Sequence, residues 1–161
     1  MWMMAGALHA RRGKVLYNDM PPADFDRRSL RDRVALAPRA PMLLAGSVLD
    51  NLTRFEAERH VQEALHLARV LGIDRYFAVR PEGLMTEVGG GFSRGLSGSV
   101  EMAAPLIGAL VGGPDVILFD EANSDFDPDT DQRLLHYFES LRGKCTMVLI
   151  TPRPSYPKLA T

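Results

Sequence analysis

From residue 57 to 71 apolar side chains recur at Val61, Ala64, Leu65, Ala68 and Leu71. Steps of three and four place them on one face of a helix, and Gly72 stands where a left-handed C-cap is expected. Elsewhere the apolar residues come in short runs. Residues 34–37, closed by Pro38 and Pro41, predict a strand, as do residues 115–120 and 146–151. Residues 14–17 predict one more, followed by a turn at Asn18-Asp19. Residues 1–10 read as part of a helix ended near Gly13, and Pro21-Pro22 opens a loop rich in Asp and Arg. Ser97 or Ser99 caps a helix running to about Val111. Pro128 and Gly143 bracket another, with Leu134, Leu135, Phe138 and Leu141 on its core side. Residues 77–94 read as a loop, given backbone freedom by Gly89-Gly90-Gly91. Strands alternating with helices predict an α/β layered fold with a mainly parallel sheet.

Composition narrows the function classes. A net charge of −1 supplies no basic field to draw nucleic acid or anionic lipid. The one cysteine, Cys145, excludes an internal disulfide framework and fits a reducing compartment as a small core residue. The weakly polar stretch 102–113 is too short to span a bilayer and holds Pro105, so direct membrane insertion is not expected. No basic region precedes the apolar start, so a signal peptide is not expected either. His9, His60, His66 and His136 are expected at the surface or its boundary, since no Cys/His cluster has zinc spacing. No Gly-x-Ser-x-Gly elbow is present to suggest a hydrolase triad.

The chemistry concentrates in Val116-Ile-Leu-Phe-Asp120-Glu121. An apolar run ending in two carboxylates is how a buried parallel strand delivers acid groups to a crevice at its C-terminal end. In ATPases one such carboxylate helps hold Mg²⁺ and its neighbour positions or activates water. Three further blocks lie upstream: Leu96-Ser97-Gly98-Ser99-Val100, Arg80-Pro81-Glu82-Gly83-Leu84, and residues 30–39 followed by residues 44–52.

In this order and spacing the blocks resemble the nucleotide-binding domain of ABC transporters, exporter type, over essentially the whole chain. No single block is decisive; four in register are specific. The resemblance implies a partial P-loop NTPase core, residues 1–49 and 96–161, and a helical subdomain, residues 50–95, that docks on a membrane domain. It implies Asp120 as the metal-linked carboxylate and Glu121 as the catalytic one. Ser97 and Gly98 would face a nucleotide phosphate held by a second nucleotide-binding domain. Asp127 would close the loop that crosses that dimer interface. ATP and Mg²⁺ are the implied cofactors, and the transporter membrane domain and a second nucleotide-binding domain the implied partners. The implied location is cytoplasmic, at the inner face of the membrane.

The sequence departs from the pattern in several places. No Gly-Lys-Ser/Thr phosphate loop occurs, and by the resemblance Met1 falls just after its position. The family continues beyond residue 161, so the chain is expected to be truncated at both ends and degenerate. Within Leu96–Val100, which resembles the family's signature segment, Ser99 replaces a glycine and Val100 an amide side chain, and Glu101 adds a negative charge just beyond it. Arg39 stands where the family has a Gln, and a guanidinium has no lone pair for a metal. Pro152 stands where the family has a His and offers no donor. Pro105 removes one helix hydrogen bond. Three functions stay open on these grounds. One is an ATP-binding subunit or fragment of an exporter, active only within a larger assembly and not expected to hydrolyse ATP alone. The others are a non-catalytic docking module and a gene remnant.

Overall fold

A computed structural model describes residues 1–89 and 96–160. Strands β1 (Val34–Ala37), β4 (Val116–Asp120) and β5 (Thr146–Ile150) form a parallel sheet in the order β1-β4-β5. A separate antiparallel ribbon joins β2 (Gly46–Ser47) to β3 (Glu87–Val88). The fold is thus mixed α/β with a parallel sheet, as the alternation predicts.

The central strand is the most buried because both of its edges are paired. Ile117, Leu118 and Phe119 are at most 1% exposed. Phe119 meets Phe138 edge-on at 5.4 Å and stacks on Tyr156 at 6.2 Å. Helix α6 (Pro128–Ser140) and the 3-10 turn Tyr156–Leu159 thereby cover that part of the sheet. Helix α5 (Gly98–Leu110) packs on β1 and on the shorter helix α2 (Val48–Leu52). Close approach to α2 explains a glycine at 108, where a Cβ would stand 2.4 Å from the carbonyl oxygen of Asn51. Helix α3 (Ala57–Leu71) ends on Gly72, which caps it at φ +78° as the sequence predicts.

Several elements differ from the sequence expectation. Residues 1–10 form turns instead of a helix: Gly6, at φ +72°, bends the backbone away after one hydrogen-bonded turn. Residues 14–17 form no strand. Asn18 and Asp19 do make the expected turn, with φ of +48° and +66°, but it closes only the single bridge Tyr17–Met20. The Asp- and Arg-rich loop contains helix α1 (Arg27–Arg33), nucleated by Asp26, whose carboxylate accepts the Arg28 and Ser29 N–H groups. Helix α2 starts at a capping box, Ser47 with Asp50. The stretch expected to be loop from residue 77 holds the end of α4 (Asp74–Ala78) and then β3; Gly90 and Gly91 lie outside the described residues. On α3 the buried stripe is His60, Ala64, Leu67, Ala68 and Leu71, with Val61 and Leu65 only half-buried. His60 is therefore not a surface residue: it is 5% exposed, with Nε2 3.3 Å from an Arg54 nitrogen. Strand β5, expected to be buried, is half-exposed because one of its edges has no partner among the described residues.

Candidate functional site

The C-terminal ends of β1 and β4 lie side by side, with Ala37 in register with Phe119. A side chain just beyond one strand therefore reaches the residue just beyond the other. Arg39 follows β1, and its Nε lies 3.3 Å from Oε2 of Glu121, which follows β4. Glu121 takes a left-handed backbone, φ +51°, uncommon for a residue with a Cβ. The conformation is held by its N–H, which donates to the carbonyl of Ile150 at the end of β5 at 2.7 Å. Asp120, the last residue of β4, is half-buried beside it.

After Glu121 the chain makes a tight turn, residues 122–127, gripped from two sides. From α5, the Ser99 hydroxyl donates to Asp127 Oδ2 at 2.7 Å and accepts the Asp127 N–H at 2.9 Å. The Met102 sulfur accepts the Asp125 N–H at 3.4 Å. From beyond β5, the Arg153 guanidinium donates to the carbonyls of Asn123 and Phe126 at 3.3 and 3.0 Å. Beneath the turn lies a buried polar network. Asn123 Nδ2 donates to Asp131 Oδ1 at 2.6 Å, and the Tyr156 hydroxyl donates to the same oxygen at 3.0 Å. Every member is paired, which makes the network a rigid support for the turn.

Asp127 is the N-cap of α6, accepting N–H groups from Asp129 and Thr130. The Thr130 N–H, with hydroxyls from Ser99 and Thr130 and the Asp129 N–H, holds its carboxyl down at about 2. Ser97 is the N-cap of α5, accepting the Val100 N–H at 3.4 Å. It and Gly98 are exposed, so the first turn of that helix opens to solvent. A Cβ at Gly98 would meet the Asp125 Cβ at 3.6 Å and the Asp125 carbonyl oxygen at 4.0 Å, ordinary contacts, so tight packing does not demand glycine there.

The expected site residues thus fall into two neighbouring groups joined by one turn. Glu121 sits with Arg39, next to Asp120 in the chain; Gly98 sits by Asp125, and Ser99 links the start of α5 to Asp127. Arg39 is 72% exposed yet ion-paired to Glu121. Pro152 is exposed, and the contacts to the turn from beyond β5 come from Arg153, which the sequence did not point to. Its only sequence signal is a cation beside that proline.

The residues present do not fit a divalent cation. Mg²⁺ needs anionic or neutral oxygens in octahedral array. Here Glu121 is already matched by a fixed positive charge, the Arg39 guanidinium, which has no lone pair to offer a metal.

No family model matches the chain. It is 28% identical over 149 residues to an ABC transporter of Fusarium pseudograminearum, covering 91% of this chain and 11% of that protein. It is 28% identical over 148 residues to the alpha-hemolysin translocation ATP-binding protein HlyB of Proteus vulgaris, covering 92% of this chain and 21% of that one. Its structure superposes on a bacterial Atm1-family ABC exporter solved with ATP bound, with a TM-score of 0.83 and 25% identity over 96% of this chain. The chain spans only 27% of that exporter's length. Its homologues are ABC transporter ATP-binding and exporter proteins, and its fold is that of their ATPase domain. Among the described residues no helix is long and apolar enough to cross a membrane.

Proposed function

We propose that this chain serves as an ATPase-core module of an ABC exporter, working only within a larger assembly and not turning over ATP alone. The observation that carries this reading is the retention of the exporter ATPase fold over 96% of the chain. Within that fold the solvent-open first turn of α5, at Ser97 and Gly98, is oriented by its helix dipole toward an anion. In the assembly it meets a nucleotide phosphate held by a second nucleotide-binding domain. Residues 50–95 dock on the membrane domain, which puts the module at the cytoplasmic face. The turn that ends in Asp127 stands next to the same interface, its shape fixed from within by Ser99 and Arg153.

The test is a mixing experiment. The chain alone should release phosphate from ATP at background rate. Added to a complete exporter ATP-binding subunit, it should raise that subunit's rate, and Ser97→Ala should reduce the gain. Turnover by the isolated chain, or no change on mixing, would sink the reading.

A second reading, a non-catalytic docking module, is favoured by one contact. Glu121 is the carboxylate that would have to activate water, and it is paired with Arg39. On this reading the chain binds the membrane domain and leaves the partner's ATPase rate unchanged.

A further inference from the structure

We propose that Arg39 is a built-in cation that takes the place of a divalent metal at the carboxylate end of β4. The inference concerns the charge at the site and does not depend on either reading above. Three observations carry it. The Arg39 guanidinium lies 3.3 Å from Glu121, within ion-pair distance. The backbone that carries Glu121 is held at the strand end, left-handed and hydrogen-bonded to Ile150. And Ala37 is in register with Phe119, so the two loops that bear Arg39 and Glu121 leave adjacent strand ends of a paired sheet.

The chemistry follows from charge. Asp120 and Glu121 carry two negative charges on adjacent residues, an arrangement that ordinarily attracts a counter-ion from solution. Arg39 supplies one from the chain itself. A guanidinium keeps its proton at any physiological pH and offers donors only, so it neutralises a carboxylate without coordinating anything further. A divalent ion entering beside it meets a like charge at a few ångströms. Even at the screening of water that repulsion weakens binding by about tenfold, and by more where the protein excludes solvent.

The experiment titrates Mn²⁺ alone, followed by the electron paramagnetic resonance signal of the free ion, against the parent chain and three variants. Arg39→Gln should bind Mn²⁺ at least about tenfold more tightly than the parent. Arg39→Lys keeps the charge and should stay with the parent. Adding Asp120→Asn to Arg39→Gln should abolish the gain. Arg39 is 72% exposed, so none of its replacements disturbs the core, and a thermal melt checks that each variant folds. Equal affinity in parent and Arg39→Gln would overturn the proposal, as would an equal gain in Arg39→Lys. The readout is metal binding rather than turnover, so its failure is distinct from failure of the exporter-module reading.

Discussion

Ser99 and Asp127 form a reciprocal pair: the serine hydroxyl donates to the aspartate's carboxylate and accepts its backbone N–H, at 2.7 and 2.9 Å. The start of α5 and the turn after Glu121 are therefore fastened together within one chain. Ser99→Ala should cost about 1 kcal/mol in urea denaturation, discounted for the exposure of the site. The pH dependence has a definite sign. Asp127 is held down at about 2, so its contribution to stability is complete above about pH 4 and drains away as pH falls toward about 2. Melting curves of Asp127→Asn should be flatter across that interval than those of the parent. Equal acid sensitivity would show that other carboxylates control it.

Tyr156 is 2% exposed and its hydroxyl shares Asp131 Oδ1 with Asn123. Tyr156→Phe preserves the stack on Phe119 but takes one donor from a buried carboxylate. A loss of about 1–3 kcal/mol is expected by chemical denaturation. A loss no larger than that of a surface substitution would mean the network adapts.

Gly108 sits where α5 crosses α2. A methyl there collides with the Asn51 carbonyl oxygen, which belongs to backbone and cannot rotate away. Gly108→Ala should lower stability by about 1–3 kcal/mol despite the better helix propensity of alanine. An unchanged melting temperature would contradict the close approach of the two helices.

Pro105 lies inside α5, leaving the Glu101 carbonyl without its i+4 donor. Pro105→Ala should stabilise the chain by about 1–3 kcal/mol, the propensity gain less the ring's contacts in the cleft it shares with Met102 and Leu106. Differential scanning calorimetry should show a higher transition, and a lower one would mean that those contacts outweigh the recovered hydrogen bond.

Strand β5 is uncharged, lacks proline, and exposes Ile150 at 47%. Such an edge pairs with other chains. Light scattering should find the isolated chain associated, and Ile150→Lys should shift it toward monomer. A monodisperse parent would show that the edge is protected in solution.

What the sequence disclosed was whatever rests on local chemistry. The bounds of α3, its Gly72 cap, a serine cap on α5 and strand β1 all follow from periodicity and end signals, though the choice of Ser97 over Ser99 as that cap does not. Helices α1 and α2 carried signals of the same kind, in Asp26 and in the Ser47–Asp50 capping box, but are too short for a visible period. The burial of His60 was hidden because its neighbours Arg54 and Gly112 are distant in sequence or polar. At the site, Asp120 and Glu121 were legible from the run that leads into them. The Arg39–Glu121 and Arg153–Phe126 contacts were not, since each depends on which strands become neighbours.

Those neighbours also set the order of events when the chain folds. The ion pair Arg33–Asp115, just outside the β1–β4 pairing, joins residues 82 positions apart. Bringing such distant segments together costs loop entropy before any contact rewards it. Helices α3 and α4 and the β4–β5 pairing need far shorter loops. The α3–α4 pair and the β4–α6–β5 unit should therefore assemble first, with β1 docking last, so that Arg39 meets Glu121 only at the final step. The charge balance at the strand ends would then report completed folding, a kinetic role for a pair that contributes little to equilibrium stability.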